Sequence, residues 1–229
     1  MPCGRRHVEG KGKLMSKVFR VDQDDPSAEI VNLAASELRR GGVVLFPTDT
    51  VYGLGASASI PNCFGAQELF DIKQRPPGVP VPLLVGKPND LYVYGKDFPE
   101  YAIKLAEKFW PGSLTIVVKA SDRVLPEFRN AEDDTVGLRC PDSELLREMA
   151  MSAGGPIFAT SANTHGQPAP ESFEDVEDRI KAHVEVALDG GKTKVGASST
   201  VVVCTGDRPV VVRESTVTEA EILETIGEI

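Results

Sequence analysis

The chain is poor in the residues that build metal centres and covalent staples. Its 229 residues include four cysteines and three histidines. Cys3, Cys63, Cys140 and Cys204 are scattered, with no CxxC pair. That argues against a disulfide framework and a structural zinc site, and it suits a reducing compartment. His7, His165 and His183 show no HExxH spacing, so a zinc hydrolase has no support. No apolar run approaches the ~20 residues that cross a bilayer, and no membrane partner is expected. Positive charge is scarce outside the first segment. The net charge is -9, yet residues 1–20 carry Arg5, Arg6, Lys11, Lys13, Lys17 and Arg20 against Glu9 alone, so the rest stands at -14. An acidic body repels phosphate backbones, which argues against extended duplex binding by the whole surface. Residues 1–20 are expected to form a disordered basic segment, with an organelle-targeting remnant or an RNA-touching arm as its other readings. Residues 21–229 are expected to fold as one domain.

Strand and helix patterns alternate through the first two-thirds. "DDPSAEIVNLAASELRRGG" reads as a helix capped by Asp25, with Pro26 in its first turn and Gly41 after its end. Val43 to Phe46 reads as a buried strand. Helices follow over Asn62 to Lys73, in "DFPEYAIKLAEKFWPG" and in "DSELLREMAMSAGG", with strands in "PLLVG", "LTIVVKA", "TVGLRCP" and "PIFATSAN". "SFEDVEDRIKAHV" reads as a helix capped by Ser172. Three strands then crowd together in "VEVALD", "STVVVC" and "PVVVR", and Thr218 with Glu221 forms a capping box for a last helix. This order predicts an α/β fold: a single-domain, twisted, open mixed sheet with flanking helices.

Two apparent nucleotide motifs fail. "GLGASA" (Gly53 to Ala58) imitates a dinucleotide fingerprint, but no helix starts at its glycines. "GGKT" (Gly190 to Thr193) imitates a P-loop ending, but the earlier glycine is replaced by Val186. "FEDVEDR" reads as a solvated helix face. Other features resist such dismissal. "PTDT" (Pro47 to Thr50) ends the Val43 strand in small polar groups, and "TSAN" (Thr160 to Asn163) does the same later. Lys73 and Arg75 sit at a helix end, where each is worth ~0.3–1 kcal/mol against the dipole, or grips a phosphate instead. Thr115 follows "WPGS". Arg139 stands on an apolar strand, where a lone charge needs a partner. "SST" (Ser198 to Thr200) opens a strand and Arg213 closes the last one. Hydroxyls and cations at strand ends suit an oxygen-rich anion such as a nucleotide.

"PTDTVYGLG", "KQR" followed by "PL", "WPGSLT", "VGLRCP", "TSAN" with "GQP", "SSTVV" and "VVVR" occur in the order of the YrdC-like family, over about residues 27 to 215. The chain resembles the single-domain form of that family, whose members are threonylcarbamoyl-AMP synthases and share a fold with dihydroxybutanone-phosphate synthase. The resemblance implies that L-threonine, bicarbonate and ATP form L-threonylcarbamoyl-AMP with release of pyrophosphate. A separate transferase complex then moves the group to tRNA beside the anticodon. Residue by residue, it implies that Lys73, Arg75, Thr115, Ser161, Asn163 and Arg213 bind ATP, with Lys73 and Arg75 catalytic. It implies that Thr50, Arg139 and Ser199 bind threonine. Magnesium is implied only through the ATP phosphates, with no protein metal site. The expected location is the cytoplasm, or an organelle. Departures from the family pattern fall at Val81, Gly86, Ser113 and Val203. Gly86 stands where archaeal-type members carry a histidine.

An alternative of a different class is an RNA-binding module of the same fold, contacting double-stranded RNA or tRNA through the basic first segment. A carbamoyl-transfer domain of the hydrogenase-maturation type lacks its companion modules here. Dihydroxybutanone-phosphate synthase itself needs an acidic metal loop near the first strand, and none is present.

Overall fold

The computed structural model describes residues 17–61, 63–74 and 81–227. Arg75 and the first sixteen residues lie outside them. Eleven strands and seven helices follow in chain order among the described residues: β1 (Lys17–Arg20), α1 (Ala28–Arg39), β2 (Val44–Phe46), β3 (Gly53–Ser57), α2 (Phe64–Lys73), β4 (Leu83–Leu84), α3 (Leu91–Tyr94), β5 (Gly95–Lys96), α4 (Glu100–Phe109), β6 (Leu114–Ala120), β7 (Thr135–Arg139), α5 (Glu144–Ala153), β8 (Ile157–Ser161), α6 (Asp178–Lys181), β9 (Val186–Asp189), β10 (Thr200–Val203), β11 (Val210–Arg213) and α7 (Glu219–Ile226). One open sheet runs β1-β9-β2-β3-β8-β4-β7-β6-β10-β11, with β5 added beside β6. Its pairings are mixed. β1, β9 and β2 are mutually parallel, β2-β3-β8-β4 are antiparallel in turn, and β4-β7 and β6-β10 are parallel. The expected α/β mixed sheet is the observed one.

Side chains alternate across β2, so one strand feeds two cores. Val44 and Phe46 face α1 and α5, where Leu38, Leu145, Leu146 and Met149 meet Ile157 and Leu188. Val43 and Leu45 face the larger core, which α2, α4 and α7 cover with Leu69, Ile72, Leu105 and Ile222. Helix ends follow local chemistry. Ser27, not Asp25, caps α1 by accepting from the Ile30 N–H; Asp22 instead draws the N–H groups of Asp24 and Asp25. The capping box of Thr218 and Glu221 forms at α7.

One strand is new and two expectations are corrected. "GLGAS" is the fully buried strand β3. A Cβ on Gly55 would lie 2.5 Å from Ile157 Cγ2 and 2.7 Å from Phe46 Cε1, and one on Gly53 would lie 2.8 Å from Phe46 Cε2. These glycines seat the Phe46 ring, and their low strand propensity hid the strand. The helix expected from Ser172 shrinks to α6, because Ser172 and Asp175 close a local turn and Glu177 turns to Thr164. Residues 17–20, expected to be disordered with the rest of the basic segment, are β1, whose ladder on β9 outweighs their polarity. The rest of that segment lies outside the described residues. Among the described residues, no helix is long and apolar enough to cross a membrane.

Candidate active site

The loop Pro47–Tyr52 leaves β2 fully buried and organises itself through Thr48. The Thr48 hydroxyl donates to the Val51 carbonyl at 2.7 Å and accepts from the N–H groups of Thr50 and Val51 at 2.9 and 3.1 Å. The Thr50 hydroxyl lies 2.8 Å from it, a contact in which either hydroxyl can donate, and the Thr50 oxygen keeps lone-pair capacity for other partners. One of those partners is Arg139, at the end of β7, whose Nη1 donates to Thr50 Oγ1 at 2.9 Å. Arg139 Nε donates to the Gly112 carbonyl at 3.0 Å, and Nη2 donates to Asp49. Asp49 and Arg139 are both buried. The lone charge on an apolar strand therefore has its counter-charge in the Pro47–Tyr52 loop. Three of the guanidinium's five N–H groups are used, which leaves two donors for a ligand.

A second cluster adjoins the first. Thr115, near the start of β6, lies 2.9 Å from the Ser199 hydroxyl, just before β10. Arg213, at the end of β11, donates from Nε to the Ser199 carbonyl at 2.9 Å and from Nη2 to its hydroxyl at 3.2 Å. The parallel pairing of β6 with β10 and the antiparallel pairing of β10 with β11 bring these three strand ends together. The Arg213 pKa is lowered, first by desolvation and then by the charge of Arg139. Arg213 keeps an exposed surface, which tempers the first cause. The second means that two guanidinium groups feel each other across this site, with Asp49 bonded to only one of them.

The third cluster lies where α2 ends. Lys73 is almost fully buried, with 2% of its surface exposed. Its ammonium donates to the carbonyls of Ser161 and Asn163, the latter at 2.7 Å, and to Asn163 Oδ1 at 3.0 Å. Asn163 Oδ1 also accepts from the Ser161 hydroxyl, and its amide donates to the Gln167 carbonyl. Lys73 is thus no exposed dipole cap. The loop after β8 meets the Pro47–Tyr52 loop through Ala162 N–H, which donates to the Tyr52 carbonyl at 2.8 Å.

Of the nine sequence-derived site residues, eight are described and fall into these three clusters. Thr50 and Arg139 touch each other. Ser199, expected with them on threonine, instead touches Thr115 and Arg213, both expected on ATP. Lys73, Ser161 and Asn163 form their own network. Sequence reasoning gave no role to Asp49 or Thr48, although both stand inside "PTDT". Nor did it mark Thr193, whose buried hydroxyl has no partner among the described residues. Thr193 lies two residues before Val195, whose N–H bonds the Asp49 carbonyl. A Cβ at Gly86 would lie 2.8 Å from Met151 Cγ, so a histidine there would need the exposed Met151 side chain to shift. A separate cleft of about 410 Å³, lined by Arg20, Asp22, Glu174 and Asp189 among others, touches none of the assigned residues. Its three carboxylates suit a nucleotide poorly.

Known proteins are similar to this chain over most of its length. A threonylcarbamoyl-AMP synthase of Pyrococcus abyssi is 38% identical over 199 residues, 87% of this chain and 58% of its own length. One of Bacillus subtilis is 36% identical over 86% of this chain and 56% of its own. The chain therefore spans less than two-thirds of these curated synthases. The crystal structure of P. abyssi Sua5 complexed with L-threonine superposes with a TM-score of 0.86 at 36% identity, covering 93% of this chain and 62% of that one. Escherichia coli YciO, an uncharacterized protein, superposes with a TM-score of 0.79 at 29% identity and is covered over 97% of its length. The Sua5/YciO/YrdC family model, described as "Telomere recombination", matches residues 36–215. With that match across most of the sheet and across every cluster described above, the chain belongs to the Sua5/YciO/YrdC family.

Proposed function

We propose that this chain makes L-threonylcarbamoyl-AMP from L-threonine, bicarbonate and ATP, releasing pyrophosphate. The observation that carries the reading is the pair Arg139 and Arg213, two cations in each other's field, ringed by the hydroxyls of Thr50, Thr115 and Ser199. Asp49 already answers Arg139, and a ligand anion beside the pair would favour the charge on Arg213 as well. The two remaining donors of Arg139 suit a bidentate carboxylate, and Arg213 with Thr115 suits phosphate or ribose oxygens. The P. abyssi relative solved with L-threonine supports the amino-acid half of this assignment. The amine of threonine takes up the bicarbonate carbon as a carbamate, with loss of water. A carbamate oxygen attacks the α-phosphorus in line, and pyrophosphate leaves. No protein nucleophile is needed; binding, alignment and charge neutralisation supply the rate. Arg75 neutralises the leaving phosphates, and Lys73, whose three donors are spent on Ser161 and Asn163, adds the field of its buried charge.

Magnesium belongs on the ATP phosphates in this reading, where it neutralises charge on the leaving group. The donor set fits that view: Asp49, the buried carboxylate of the site, is already taken by Arg139. A downstream transferase complex then carries the threonylcarbamoyl group to tRNA, and the site lies in the cytoplasm or an organelle.

Pyrophosphate release with ATP, bicarbonate and one amino acid at a time, without tRNA, tests the reading. A site built to bond a substrate hydroxyl rejects an analogue lacking it, so valine should give almost no release. Serine loses one methyl and should be weaker by roughly ten- to two-hundred-fold. Equal release with valine and threonine, or release that needs tRNA, would overturn the proposal.

A further inference from the structure

The network around Lys73 is pinned from a third segment. Arg179, on α6, donates from Nη1 to the Ile72 carbonyl at 2.7 Å and from Nη2 to the Thr164 hydroxyl at 2.7 Å. Ile72 directly precedes Lys73, and Thr164 directly follows Asn163. Glu177 accepts from the Thr164 N–H at 2.8 Å and from its hydroxyl at 2.9 Å. The Thr164 hydroxyl therefore gives its proton to Glu177 and its lone pair to Arg179. His165 N–H adds a bond to the Lys73 carbonyl at 2.9 Å. The Glu177 carboxyl is held below its usual range, first by the Thr164 N–H and then by the Thr164 hydroxyl, with smaller contributions from Arg179 and Lys73. Arg179 satisfies a carbonyl in the last turn of α2, where orphan acceptors and the dipole both favour a cation. Neither Arg179 nor Glu177 bonds Thr50, Thr115, Arg139, Ser199 or Arg213.

We infer that Arg179 and Glu177, acting through Thr164, are positioning residues that lock the last turn of α2 to the loop after β8 and so hold Lys73 and Asn163 in one geometry for the triphosphate. The physical need is plain. Lys73 and Asn163 come from separate elements, and a charge that faces a phosphate acts best when it is held in place before the ligand arrives. The identity of the ligand rests on the synthase reading above; the lock itself does not.

The experiment compares wild type with Arg179→Met and Thr164→Val, the second keeping the shape of the side chain while removing its hydroxyl. Initial rates are measured against ATP and against threonine. Separately, the rate at which a small amine-reactive reagent modifies Lys73 is read by peptide mass spectrometry. Both variants should raise the KM for ATP by roughly tenfold, the worth of about one charge-assisted hydrogen bond. The KM for threonine should stay unchanged, and Lys73 should be modified faster. Arg179→Lys should rescue little, since an ammonium cannot span both acceptors as the planar fork does. Unchanged Lys73 modification in both variants, or an equal rise in both KM values, would overturn the lock. If wild type makes no product at all, the synthase reading fails, while the modification rates still decide the lock.

Discussion

Lys73 changes character between sequence and structure. As an exposed helix cap, its charge would be worth ~1 kcal/mol or less, and its replacement would leave stability almost untouched. Buried and bonded to Ser161 and Asn163, it leaves carbonyls unpaired when removed, at about 1–3 kcal/mol. Lys73→Met, which keeps the apolar stem, should therefore lose both pyrophosphate release and stability. An unfolding midpoint equal to wild type in urea would refute the network. Asp49 and Arg139 pose a different case. Removing one partner of a buried ion pair costs about 3–5 kcal/mol, because a buried charge is left behind. Asp49→Ala should be destabilised by that order, and adding Arg139→Met should return part of the loss without returning activity. Chemical denaturation of the single and double variants checks this, and a double variant less stable than the single one would count against it. That Arg139 needed a partner was legible in its apolar strand. Which residue answers it was not, because ninety positions separate the two and only the path of the Pro47–Tyr52 loop joins them.

At the scale of elements, β1 shows how pairing overrides composition. "KVFR" is half cationic, yet Lys17 to Arg20 align with Val186 to Asp189 on β9, and Phe19 packs against the α1–α5 core. A chain beginning at Lys17 should keep its turnover with small substrates and its stability. A chain beginning at Val21 should keep turnover per folded molecule but lose about 1–2 kcal/mol, the worth of the Phe19 burial, and expose β9 as a new edge prone to association. Thermal unfolding with activity on the same samples separates the two. Equal stability of both truncations would show that β1 contributes nothing. β3 teaches the converse lesson. Its glycines imitate a dinucleotide fingerprint, and their real constraint is the Phe46 ring beside them. The rejection of a dinucleotide fingerprint in that stretch was available from the sequence, since no helix follows the glycines.

For the whole molecule, burial of ionisable groups sets an alkaline limit. The Cys140 and Cys204 thiols are pushed from 9.0 up to about 12 by desolvation, and the Tyr101 hydroxyl from 10.0 up to about 12 by the same cause. Unfolded chains release these protons near pH 9 to 10, while the folded chain holds them to about pH 12. The folded state then binds more protons than the unfolded one, so stability is whole below pH 9 and falls as pH rises. The urea midpoint, measured under reducing conditions, should be lower at pH 10 than at pH 8, with a shallower decline in a Cys140→Ala/Cys204→Ala variant. A flat profile from pH 8 to pH 10 would contradict the burial. The same thiols should resist alkylation at pH 8 until the chain is unfolded, since the thiolate is the reactive form.

The sequence by itself determined the alternation of strands and helices, the mixed character of the sheet, the Thr218–Glu221 cap and the candidate site residues, because these rest on local periodicity, capping chemistry and blocks of contiguous residues. Tertiary structure alone decided the rest. Strand order is set by long-range pairing, which no local pattern encodes. It placed β10 between β6 and β11 and so brought Ser199 against both Thr115 and Arg213. It gave Arg139 to Asp49, took Lys73 out of solvent, and cut the helix after Ser172 short, because Glu177 gains more from the Thr164 N–H and hydroxyl than from another helical turn. In each case a hydrogen bond or a ring contact between distant positions outweighed a local preference worth a fraction of it.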